Sequence, residues 1–79
     1  MVDPAPARLP PREAAVLRAL QDAGGRVLSR GELASAAGLA GLSPRRVDGV
    51  LVSLRRRLPP GRLHTVRGRG WSLVAPDES

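Results

Sequence analysis

Between Pro44 and Leu58 the apolar positions keep helical spacing: Val47, Val50, Leu51, Leu54 and Leu58 fall at i, i+3, i+4, i+7 and i+11. That pattern predicts an amphipathic helix with one stripe turned to a core. At about 100° per residue, Arg45, Arg46, Gly49, Val52, Ser53, Arg56 and Arg57 fall on or beside the opposite face, with Asp48 and Arg55 on one flank. Ser43 suits the N-cap and Pro44 the first helical position, while Pro59-Pro60-Gly61 stops the helix.

Two shorter helices are predicted upstream. Pro10 and Pro11 fit a first turn, and Ala14, Val16, Leu17 and Leu20 follow at helical spacing to Ala23, with Gly24-Gly25 as the terminator. After a short extended link, Arg26 to Leu28, the S-x-x-E pattern of Ser29 and Glu32 forms a capping box. It opens a second helix that buries Leu33, Ala36 and Ala37 and closes at Gly38. Downstream, Leu63 to Val66 and Trp71 to Val74 flank Arg67-Gly68-Arg69-Gly70, a strand-turn-strand pattern with glycines where a turn needs positive φ. Trp71 is expected to seal this hairpin against the third helix, and His64 to lie on the surface. Residues 1–8 and 75–79 show neither period and are expected to be a flexible leader and tail around one domain, 9–74.

Composition narrows the function. A chain of 79 residues supports one small core, and with no Cys and one His there is neither a disulfide framework nor a thiolate or His-based zinc site. No catalytic, metal or cofactor site is expected, so the chain is not read as an enzyme. All 13 basic residues are arginine and the net charge is +6, which favours a polyanionic partner gripped by planar, bidentate guanidinium contacts. Nothing resembles a membrane span or a signal peptide, so a cytoplasmic location is expected.

Three helices followed by an arginine-tipped hairpin, mainly α with a small β-hairpin, is the winged helix-turn-helix arrangement. Val47-Asp48, Leu54-Arg55-Arg56-Arg57-Leu58 and Thr65-Val66-Arg67-Gly68-Arg69-Gly70-Trp71 resemble the C-terminal effector domain of OmpR/PhoB-type response regulators. Leu9-Pro10-Pro11-Arg12-Glu13 and Gly25 to Leu33 are similar to that family's helix openings, in the same order, so the resemblance spans residues 9–74. It implies a third helix in the major groove of duplex DNA and a wing arginine, Arg67, in the neighbouring minor groove. Gly68 and Gly70 are expected to let the wing tip approach DNA.

Arg69, Arg45, Arg46, Arg55 and Arg56 are expected on phosphates, with Thr65, Gly49, Val52 and Ser53 completing the DNA-binding set. Val52 is either a thymine-methyl contact or a tolerated surface valine, and Gly49 suggests close approach of the backbone to DNA or to another helix. Asp48 is expected to pair with Arg45 or Arg55. Positions 50, 52 and 53, often polar or basic in the family, are Val, Val and Ser here. No receiver domain is recognised, and residues 1–8 hold no counterpart of the family's N-terminal sheet, so control through a receiver aspartate is not expected. Rival readings are a module that docks on RNA polymerase or another protein, and a binder of structured RNA. In either case a monomer or weak dimer away from membranes is expected.

Overall fold

A computed structural model describes residues 5–74. Three α-helices, α1 (Pro11–Asp22), α2 (Arg30–Ala36) and α3 (Pro44–Arg57), precede an antiparallel hairpin of β1 (Leu63–Val66) and β2 (Gly70–Leu73). This is the mainly helical winged helix-turn-helix that the spacing predicts. A 3-10 turn, Pro6–Arg8, already stands ahead of α1, although these residues show no period in sequence.

Local signals set both ends of α2 and the start of α3. In α2 the Glu32 backbone N–H donates to Ser29 Oγ (3.1 Å) and the Ser29 N–H donates to Glu32 Oε1 (2.9 Å), so both halves of the capping box are made. Gly38, at φ 72°, ends that helix: the Leu39 N–H reaches back to the Ala34 carbonyl (2.7 Å), and Leu39 folds under as a buried residue. Ser43 caps α3 through the Arg46 N–H (3.3 Å).

The core lies where the three helices meet. Val16, Leu17 and Leu20 of α1 pack with Leu33 of α2 and Val47, Leu51 and Leu54 of α3, and Leu28, Leu58, Leu63 and Leu73 close it from the hairpin side. Val50 is only half-buried at the stripe's edge. Ala36 is exposed instead of buried; Ala34 and Ala37 lie to one side of Leu33 on the wheel, toward the core, and Ala36 lies to the other, toward solvent.

The hairpin differs from expectation in two respects. Its second strand starts at Gly70, opposite Val66, which leaves the three-residue turn Arg67-Gly68-Arg69. Trp71 is half-buried, and β2 packs more against α1 than against α3. The cause is Leu28, in the link read only as extended: its N–H donates to the Trp71 carbonyl (2.8 Å) and its carbonyl accepts from the Trp71 N–H (2.9 Å). The link adds a single-residue bridge, the Leu28 rung, to the free edge of β2 and fixes the wing against the start of α2.

Candidate nucleic-acid interface

The outward face of α3 is a single stripe, Arg45, Gly49, Val52 and Arg56, at i, i+4, i+7 and i+11, and all four residues are exposed. Arg46 and Ser53 are turned about a quarter of the wheel away. They line a groove against Pro10, Pro11 and Glu13 at the start of α1, and Ser53 is half-buried there. At Gly49 a β-carbon would meet nothing within 4 Å, so no other helix of this chain accounts for the missing side chain.

The flanks of α3 are tethered, each by one guanidinium. Toward α2, Arg30 donates to both carboxylate oxygens of Asp48 (Nε–Oδ1 2.8 Å, Nη2–Oδ2 3.1 Å). Asp48 therefore pairs with neither Arg45 nor Arg55: it lies on the wheel beside the α2 start, where Arg30 presents a planar fork that matches it. That hydrogen bond, and then the charge of Asp48, raise the Arg30 pKa further above its ordinary value. Toward the hairpin, Arg55 Nη2 donates to Thr65 Oγ1 and lies 3.5 Å from the Leu63 carbonyl. Arg55 and Thr65, both expected on DNA, are thus bonded to each other. Toward α1, Arg57 Nε lies 2.8 Å from Glu13 Oε1, an ion pair by distance that lacks hydrogen-bond geometry. Glu13 is buried and Arg57 half-exposed, so Arg57 belongs to the α1 contact and not to the open face.

At the wing, Arg67, Gly68 and Arg69 are exposed. Gly68 has φ 74° with open space about it, as the turn requires. Gly70 plays another part than expected. It is buried, at φ 150°, and a β-carbon there would overlap the Leu28 carbonyl oxygen and lie 2.6 Å from its carbon. It serves the Leu28 rung and not the approach of a ligand. Arg67 and Arg69 face Ser29, Arg30 and Gly31 across a shallow cleft, which brings the wing tip, the start of α2 and, through Asp48, α3 to one side of the molecule.

The arginines thus divide by what they touch. The carboxylates of Glu13, Glu32 and Asp48 stand beside Arg57, Arg26 and Arg30 respectively. Among the described residues, Arg45, Arg46, Arg56, Arg67 and Arg69 have no carboxylate within ion-pair distance. Also among them, no group of His, Cys, Asp and Glu could hold a metal ion, and no helix is long and apolar enough to cross a membrane.

Two residues of this arrangement escaped the sequence. Arg30 could not be found, because its partner is 18 positions away and no period links them. Glu13 could have been: with Val16, Leu17 and Leu20 it falls at i, i+3, i+4 and i+7, on the buried stripe of α1. Comparison with known families gives a match over residues 5–73 to the one described as "Transcriptional regulatory protein, C terminal". No curated protein matches the chain.

Proposed function

The chain belongs to the family of OmpR/PhoB-type C-terminal effector domains, DNA-binding domains of transcriptional regulators, and on that premise we propose a mode of binding for it. The outward stripe of α3 enters the major groove of duplex DNA and the Arg67-Gly68-Arg69 turn enters the adjacent minor groove. One observation carries this: of the arginines without a carboxylate partner among the described residues, Arg45, Arg46, Arg56, Arg67 and Arg69 lie on the α3 face, its α1-side flank and the wing tip, while Arg55 is bonded to Thr65 and Arg8, Arg12 and Arg18 belong to α1 and the turn before it.

Arg67 at the turn suits a narrow minor groove, where the local potential is most negative. Arg45, Arg46, Arg56 and Arg69 suit phosphates on either side, and these contacts position the helix without reading sequence. Arg55 is left out of the set because it is bonded to Thr65. The tethers at Asp48, Thr65 and Glu13 hold α3 before any ligand arrives, which lowers the ordering cost of binding. The role is that of a transcriptional regulator acting on DNA in the cytoplasm.

Fluorescence anisotropy with random duplex DNA over a salt series tests the mode. Four neutralised phosphates at a slope of about −0.9 each give a log–log salt dependence of about −3.5 to −4. Arg67→Ala and Arg56→Ala should each weaken binding, and Arg56→Ala should reduce that slope by about 0.9. Unchanged binding in both variants sinks the assignment. Preference for structured RNA over duplex, or a salt-insensitive complex with a protein and no duplex shift, replaces it with one of the rival readings.

A further inference from the structure

We propose that Val52 reads a pyrimidine 5-methyl group on the floor of the major groove, that of thymine or of 5-methylcytosine. This rests on the placement of α3 in that groove. Val52 is the one large hydrophobic side chain exposed among the described residues, half of it open to solvent, and it belongs to no core contact.

Its neighbours decide what covers it. Arg45 and Arg56 end the outward stripe, 11 positions apart, which is about 16 Å along the helix axis. A helix docked in the major groove lies along it, so these two long cationic side chains reach phosphates at either end of the contact while the middle of the stripe meets the groove floor. There stand only Gly49 and Val52. Gly49 presents no side chain and has open space around it, so the backbone can come close to the base edges. Ser53, the nearest hydroxyl, is turned toward the start of α1.

Val52 is therefore the side chain at the centre of the stripe, and it neither donates nor accepts a hydrogen bond. The base edges in the major groove offer amino donors, ring-nitrogen and carbonyl acceptors, and one kind of apolar group, the C5 methyl. Against a donor or acceptor, the valine displaces water without replacing its bond, which is unfavourable. Against the methyl, both partners leave water together. Selectivity at the centre of the site then comes from that pairing.

The test begins with a duplex enriched from a random library by the wild-type protein. Each thymine is replaced singly by uracil, each cytosine singly by 5-methylcytosine, and Kd is measured for the wild type and Val52→Ala. The wild type should lose about threefold to fivefold at one thymine, or gain as much at one methylated cytosine, the worth of one buried methyl-sized group. The first result names thymine as the source and the second 5-methylcytosine, and in either case Val52→Ala should be insensitive at that position. An unchanged melting temperature, expected for a half-exposed side chain, keeps the comparison clean. A flat scan with duplex binding intact, equal sensitivity in Val52→Ala, or failure to enrich any sequence while duplex is still bound overturns the proposal alone. Absence of duplex binding at low salt overturns the placement of α3, and the proposal with it.

Discussion

Gly70→Ala should damage the fold more than any other substitution in the wing. The added β-carbon would overlap the Leu28 carbonyl oxygen, lie 2.6 Å from the Leu28 carbonyl carbon and 3.0 Å from Ser29 Cα. All three are backbone atoms, so no side chain can swing aside. The φ of 150° adds about 1 to 3 kcal/mol for a residue with a β-carbon. Relieving the overlap separates Leu28 from Trp71 and removes their two backbone bonds, at about 1 kcal/mol each. The sum is about 3 to 5 kcal/mol, against roughly 4 to 12 kcal/mol for a whole domain of this size. At about 4 to 8 °C per kcal/mol the melting temperature should fall by at least about 12 °C.

Thermal melts followed by circular dichroism measure this, and Trp71, the sole tryptophan, reports the local event, because its emission should shift to the red as the Leu28 rung opens. Gly68→Ala is the control: its φ is also positive but its surroundings are open, so only about 1 to 2 kcal/mol is expected. If Gly70→Ala melts as high as Gly68→Ala, the close approach to Leu28 does not hold the wing.

Two further outcomes concern the remaining ion pairs and caps. Arg57→Ala leaves the buried Glu13 carboxylate without its counter-charge and should cost about 1 to 3 kcal/mol in urea denaturation, whereas Glu13→Gln in the same background should recover part of the loss. Glu32 has its pKa lowered, first by the hydrogen bond from the Ser29 backbone N–H and then by the Ser29 side chain. Its stabilising contribution is therefore complete above the unfolded-state value, about 4.3, and is lost as pH falls through the lower folded value. Melting temperatures from pH 7 to pH 3 should fall less steeply at the acid end in Glu32→Gln, which can still cap but does not titrate.

What could be read in the sequence was what repeats locally. The α3 stripe, the Ser29–Glu32 box and the Gly38 terminator depend on residues within a turn or two of one another, and each left its period or spacing in the chain. The Leu28 rung left none: Arg26 to Leu28 is too short for a strand pattern, and its pairing with Trp71 spans most of the domain. For the same reason Gly70 was legible as a turn glycine but not as the seat of a backbone crossing. The arginines posed a different difficulty. Arg55, Arg56 and Arg57 are adjacent and identical in type, and only their angular position on the helix sends the first to β1, the second to solvent and the third to α1.

That division makes opposite demands on neighbours. Arg56 faces outward, so Arg56→Ala should remove a phosphate contact and lower the salt slope by about 0.9. Arg55 holds Thr65 and approaches the Leu63 carbonyl, joining α3 to the wing. Arg55→Ala should instead loosen the angle between the two DNA-facing elements. The loss is then one of order and not of counterion release: affinity falls by a similar factor at every salt concentration, about 2- to 12-fold for a link worth about 0.5 to 1.5 kcal/mol, with little change in slope. Thr65→Val keeps the shape but removes the acceptor, so it should reproduce much of that loss, and the double variant should be little worse than either alone. Parallel salt titrations of the four proteins separate the cases. If Arg55→Ala flattens the slope as much as Arg56→Ala does, Arg55 leaves Thr65 for a phosphate in the complex, and the hairpin is held to α3 by DNA instead of by the protein.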